Sequence, residues 1–137
     1  MISFDVVSLY TNVPVKEAIA EAADRLYNSD LKSSPVDKDT FIQLTELATL
    51  NVFMATADGY YRQIDGLAMG SQPAPLLANI WLSKYEPTIG DDAKVFQRYM
   101  DDILRSIKRQ NIEAKLAEIN RLHPVSYTHL RAHETCP

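Results

Sequence analysis

A chain of 137 residues with 46% hydrophobic content and a formal net charge of −4 has the size and core-forming capacity of one globular domain. It contains no apolar run near the roughly 20 residues that cross a bilayer, and the start Met1-Ile2-Ser3-Phe4-Asp5 lacks the basic-then-apolar order of a secretory signal. The single cysteine, Cys136, excludes an internal disulfide and fits a reducing, intracellular compartment. The acidic balance argues against a self-sufficient phosphate-binding surface, which would draw on Lys and Arg. Only Arg105, Lys108, Arg109, Lys115 and Arg121 approach a basic stripe, and most of them read as an ordinary solvated face.

The elements follow in chain order. Ile2 to Leu9 is β-branched and apolar on both faces, which predicts a buried central strand, closed by Thr11-Asn12-Val13-Pro14. Pro14 suits a first helical turn, where its missing N–H costs nothing. Val15 to Tyr27 then carries Ile19, Ala22, Ala23 and Leu26 at helical spacing. Asn28 to Pro35 is a polar loop, and Asp37 is placed to cap a second helix with Phe41, Leu44, Leu47 and Ala48 inward. Residues 51–56 and 60–64 flank Ala57-Asp58-Gly59, a strong hairpin signal.

Gly66 and Gly70 mark a tight loop before a helix from about Pro75 to Tyr85 that buries Leu76, Leu77, Ile80 and Trp81. Pro87 to Asp92 reads as a loop, and Val95–Met100 with Ile103–Ile107 as paired strands. Asn111 is expected to cap a last helix carrying Ile112, Leu116, Ile119 and Leu122. Strand, two helices, hairpin, helix, hairpin, helix describes an α+β fold, an antiparallel sheet with helices packed on one face. The segment after Pro124 breaks the pattern and has no clear period. It resembles the in-frame translation of an adapter from transposase-based sequencing libraries. Residues 124–137 are therefore expected to be a non-native tail that packs poorly, and the i,i+4 pair His129 and His133 is set aside with it.

Three segments carry chemistry. Asp101-Asp102 falls between two β-prone runs, Asp5 lies in another, and a Gly/Pro-rich turn, Gly66 to Pro75, leads into a helix. An isolated Asp-Asp would more often be a hairpin turn. Nucleotidyl transfer, however, uses two divalent cations held by a few carboxylates from separate strands, one cation activating the 3′-OH and the other holding the triphosphate. Asp5 and Asp101 are expected to meet at one point for this purpose.

Phe4-Asp5-Val6-Val7-Ser8-Leu9-Tyr10 resembles the first palm motif of reverse transcriptases. Gly66-Leu67-Ala68-Met69-Gly70-Ser71-Gln72-Pro73-Ala74-Pro75 resembles their second, and Tyr99-Met100-Asp101-Asp102 their third, the Tyr-x-Asp-Asp box. The wording of Ser3 to Pro14 and of Gly66 to Ser71 is most similar to Penelope-like retroelements. Met69 stands where many reverse transcriptases carry Gln, as in that subfamily, and Gln72-Pro73 is a milder departure.

The resemblance spans residues 1–123 and implies a partial palm domain of an RNA-directed DNA polymerase with a polymerase palm-like antiparallel sheet. It implies that Asp5 and Asp101 bind both metals, that Asp102 is a third carboxylate of lesser role, and that the Val6 backbone carbonyl adds a ligand. Tyr10 would block a ribose 2′-OH, and Gly70, Ala74 and Pro75 would lie against template and incoming nucleotide. The implied cofactor is two Mg²⁺ ions, with Mn²⁺ as a substitute. The implied partners are an RNA template, a DNA primer and deoxynucleoside triphosphates, with no membrane, and the location is the nucleus for a eukaryotic element. Fingers, primer grip and thumb are expected to lie outside this chain, leaving the full-length parent active and the fragment inactive. An RNA-dependent RNA polymerase palm and a non-catalytic, degenerate element copy are the alternatives. Gly90-Asp91-Asp92 reads like the Gly-Asp-Asp box of viral RNA polymerases, but no apolar strand immediately precedes it, and it is taken as a loop.

Overall fold

The computed structural model describes residues 1–29, 34–122 and 130–134. In chain order the elements are β1 (Ile2–Val6), α1 (Leu9–Asn12), α2 (Val15–Tyr27), α3 (Lys38–Leu50), β2 (Phe53–Thr56), β3 (Gly59–Arg62), α4 (Ala74–Ser83) and α5 (Glu86–Ile89). They continue with β4 (Phe96–Tyr99), β5 (Asp102–Arg105), a 3₁₀ turn at Arg109–Asn111, α6 (Ile112–Ile119) and β6 (Leu130–Glu134). The fold is α+β, as expected. It divides into two units, one formed by residues 1–9 with the segment from Ser83 onward, the other by residues 10–82.

The first unit holds an antiparallel sheet in the order β4-β5-β1-β6. β1 alternates, with Ile2, Phe4 and Val6 buried, Ser3 half-buried and Asp5 exposed, so it is apolar on one face and not on both. It also ends sooner than expected, because Ser8 adopts a left-handed φ of 55° and Leu9 opens a helix. Ile89, Ile103 and Ile119 join the buried residues of this unit. Arg105, grouped above with a basic surface, is fully buried. Its guanidinium donates to the carbonyls of Ile89 and Asp91 and to Oδ1 of Asp92 at 2.7 Å. A buried cation needs such partners, and this gives Asp92 a structural task inside a loop. Lys115 likewise buries its stem and pairs with Glu118 at 3.0 Å.

Three expectations need correction here. The stretch from Pro87 to Asp92 includes most of α5, with Pro87 near the helix start, where proline is tolerated. Asn111 makes no side-chain capping bond, because a 3₁₀ turn already leads into α6, and Leu122 lies beyond that helix. Residues 130–134 pair with β1 in the register Ile2↔Glu134 to Val6↔Leu130. A strand edge offers unpaired N–H and C=O groups to any extended chain, so this pairing needs no side-chain period to announce it. His129, Cys136 and residues 30–33 of the expected loop lie outside the described residues.

In the second unit α2 buries Val15, Ala18, Ile19, Ala22 and Ala23, with Leu26 half-buried, close to the expected face. α3 packs on α2 through Tyr27 against Phe41, edge-on at 6.1 Å, and through Lys38 with Asp24 at 2.6 Å. That contact turns Leu44 (53% exposed) and Leu47 (64%) outward together with Ala48, against expectation, and buries Thr49. β2 and β3 form the expected hairpin, with Thr56 opposite Gly59 and a two-residue turn at Ala57-Asp58. α4 buries Ala74, Leu77, Ala78, Trp81 and Leu82, a stripe at i, i+3, i+4, i+7 and i+8. Leu76 falls off that stripe and is exposed, and Ile80 is half-buried.

Asp37 caps α3 as expected, accepting from the Thr40 N–H at 2.9 Å and the Thr40 hydroxyl at 2.7 Å. The Thr40 backbone N–H first, and its hydroxyl second, hold the Asp37 carboxyl below its ordinary pKa. A carboxyl whose pKa is lowered by folding stabilises above its unfolded pKa, roughly pH 4, and loses that contribution as pH falls through the folded value. Asp37→Ala is therefore expected to lower the thermal midpoint at pH 7 and to flatten the fall in midpoint below about pH 4. Thermal scans from pH 7 to pH 2 check this, and superimposable profiles for the two proteins would rule out the cap as the source.

Candidate active site

The hairpin β4–β5 closes with Tyr99 opposite Asp102, leaving Met100 and Asp101 as a two-residue turn. Met100 carries a left-handed φ of 55°, unusual for a side chain of that size. Two bonds hold the turn in place. The Val6 N–H donates to the Asp101 carbonyl at 3.1 Å, and Arg98 Nη1 donates to the Met100 carbonyl at 3.0 Å.

Strand β1 lies on the other side of β5, and its register places Asp5 directly opposite Asp102. Opposed residues of antiparallel strands share a face, with Cβ atoms about 5 Å apart. Tyr99, Asp102 and Asp5 thus form one row across three strands on the exposed face, and Gln97, Leu104 and Ser3 form the next. Asp5 and Asp102 are exposed, Asp101 is half-buried and Val6 is buried. The partner opposite Asp5 is thus Asp102, while Asp101 joins the same sheet end through its carbonyl bond to Val6. The Val6 group observed to act is its N–H.

Like charges set opposite each other destabilise a sheet. No ion pair joins Asp5, Asp101 or Asp102 to a described side chain. The donor set is oxygen only and comes from separate strands. That chemistry fits Mg²⁺, which takes one or two carboxylates and fills its shell with phosphate oxygens and water. Among the described residues no three or more His, Cys, Asp or Glu side chains are grouped so that together they could hold a metal ion.

The second-motif residues belong to the other unit. Gly66 has φ +74°, and a Cβ built on it would lie 2.7 Å from the Thr11 carbonyl oxygen and 2.9 Å from the Thr11 Cα. The Leu67 N–H donates to the Tyr10 carbonyl at 2.7 Å. Gln63 braces the approach, with Nε2 donating to the carbonyls of Asp65 and Gly66. The loop thus closes on the backbone beside Tyr10, whose side chain is half-buried in α1. Gly70 is exposed with φ +95° and open space around it. Ala74 is buried at the start of α4, and Pro75 is exposed in its first turn.

Sequence reasoning missed Arg98, Glu86 and Gln63. A signal for Arg98 existed, because it shares strand parity with Phe96 and so sits as a cation on the inward side of β4. Asp91 and Asp92 lie outside the strands, and Asp92 is engaged by Arg105.

No protein-family model and no curated protein matches the chain. Solved structures do. Apo telomerase from Candida tropicalis, truncated from its C-terminal domain, matches with a TM-score of 0.64 at 14% identity over 98% of this chain and 31% of that one. Telomerase from Candida albicans, in complex with a TWJ fragment of telomeric RNA, matches with a TM-score of 0.68 at 14% identity over 99% of this chain and 27% of that one. The chain shares the fold of the matching segments of these telomerase structures and spans about three-tenths of their length. Among the described residues no helix is long and apolar enough to cross a membrane.

Proposed function

We propose that this chain is the palm segment of an RNA-directed DNA polymerase, most similar to those of Penelope-like retroelements, that extends a DNA 3′ end with deoxynucleotides on an RNA template. The observation that carries the reading is the gathering of Asp5, Asp101 and Asp102 at one end of one sheet, by strand register and by the Val6–Asp101 bond. Support comes from the fold shared with two telomerase structures, one of them in complex with a fragment of telomeric RNA.

Asp5 and Asp101, with Asp102 beside them, are the residues to hold two Mg²⁺ ions. When bound, such ions lower the pKa of a 3′-OH and neutralise charge on the triphosphate. The carboxylates' own part is to offer oxygen donors on an open sheet face that a nucleic-acid strand can reach. Tyr10 excludes ribonucleotides by bulk, and the loop from Gly66 to Pro75 supports the templating pair.

Primer extension tests the proposal, in a protein that joins this chain to flanking fingers and thumb. DNA synthesis on an RNA template with Mg²⁺ supports it. Ribonucleotide polymerisation in place of deoxynucleotide polymerisation would assign an RNA-dependent RNA polymerase instead, and no synthesis at all a non-catalytic element copy. In the same assay Tyr10→Ala is expected to admit ribonucleotides about five- to 150-fold better, since a removed overlap of about 1–3 kcal/mol converts to that range. Unchanged discrimination would leave Tyr10 a packing residue.

A further inference from the structure

We propose that Arg98, oriented by Glu86, is a positioning residue for the Met100-Asp101 turn; the inference rests on the reading of Asp101 as a metal-holding carboxylate. Arg98 is the third residue of β4, and its side chain is only 8% exposed. Nε donates to Glu86 Oε1 at 2.7 Å, and Nη2 reaches the same oxygen. Nη1 is thereby aimed past the strand end, at the Met100 carbonyl 3.0 Å away. One planar group ties the first turn of α5 to the first carbonyl of the turn, while the Val6 N–H takes the second.

The turn needs both restraints. Met100 holds a left-handed φ, a backbone conformation that is strained for a non-glycine residue. Strained backbone persists only where its surroundings over-determine it. With the Met100 carbonyl released, the peptide before Asp101 is free to rotate, and the Asp101 carboxylate moves with it. Charge alone does not do this work. A lysine ammonium is a point donor that lacks the rigid fork, so it cannot hold Glu86 and aim a second N–H at Met100 in the same geometry.

The test uses the 137-residue chain with Mn²⁺ as the probe, and compares Arg98→Lys, Glu86→Gln and Asp101→Asn with the parent. Backbone ¹⁵N relaxation reads the turn, and electron paramagnetic resonance of free Mn²⁺ reads affinity. Arg98→Lys is expected to lower the order parameters of residues 100–102 from about 0.85 to below about 0.6, with the amides of β1 unchanged. It should weaken Mn²⁺ binding about fivefold, and Glu86→Gln should do the same to a lesser degree, with Arg98 still present. Asp101→Asn should weaken Mn²⁺ binding more than either and leave the order parameters alone.

If Asp101→Asn weakens Mn²⁺ while Arg98→Lys and Glu86→Gln change neither readout, the positioning role falls and the carboxylate reading stands. If Asp101→Asn leaves Mn²⁺ affinity unchanged, the carboxylate reading itself falls. Loosening spread evenly over the whole sheet in both Arg98→Lys and Glu86→Gln would make the pair a general stabiliser and overturn the proposal.

Discussion

Replacing Asp101 by Asn is expected to reduce primer extension at least about a thousandfold, a loss of roughly 4 kcal/mol of transition-state stabilisation, while leaving the fold intact. Asn keeps the shape of the side chain and removes the negative charge that a hard cation requires. The turn is held by the carbonyls of Met100 and Asp101, not by the Asp101 carboxylate, so unfolding should move by no more than about 0.5 kcal/mol. The neighbouring carboxylates give a contrasting signature. Asp5 and Asp102 oppose each other across β1 and β5. Neutralising Asp102 should raise stability by about 0.2–1 kcal/mol, whereas Asp5 also stands opposite Arg131 in the register with β6, so Asp5→Asn should lose extension without that gain. A residue whose removal stabilises the chain yet lowers its activity is kept at a cost to the fold. Chemical denaturation of the chain and extension by the polymerase that contains it measure the two sides. Near-normal extension by Asp101→Asn would move the site. Asp91 and Asp92 would be examined next, although Asp92 already serves Arg105.

The carboxylate pattern was legible in sequence because its logic is local. An Asp-Asp between two β-prone runs places a turn, and a third Asp in a separate strand supplies the partner. The order of elements was legible for the same reason, since the periods of α2, the hairpin β2–β3 and the hairpin β4–β5 are written in consecutive residues. Pairing between distant strands was not. No local pattern says that Asp5 faces Asp102 and not Asp101, because a one-residue change of register would exchange the faces. Orientation was also hidden in α3, where Leu44 and Leu47 look like an inward stripe until Tyr27 and Phe41 fix the helix rotation. Arg105 shows the same limit for charge, as it reads as surface and is buried because three acceptors await it, one at the end of α5 and two in the loop after it.

Gly66→Ala is expected to destabilise the chain by about 3 kcal/mol, combining roughly 1–2 for a left-handed backbone with 1–3 for overpacking. That corresponds to a fall of about 10 °C in thermal midpoint for a domain of this size. The added methyl would sit 2.7 Å from the Thr11 carbonyl oxygen, and the nearest atoms are all backbone, so no flexible side chain can give way. Relief requires the Gly66–Leu67 segment to withdraw from Tyr10 and Thr11, which breaks the 2.7 Å bond from the Leu67 N–H to the Tyr10 carbonyl. Gly70→Ala is the control. Its φ of +95° is also strained for alanine, but nothing lies within 4 Å of the new methyl, so only the backbone term of about 1–2 kcal/mol remains. Comparable losses in the two variants would show that close approach to Thr11 is not what Gly66 is for. The functional consequence follows from the same contact. Because the broken bond belongs to Tyr10, Gly66→Ala polymerase should select less well against ribonucleotides than Gly70→Ala polymerase, even at temperatures where both remain folded.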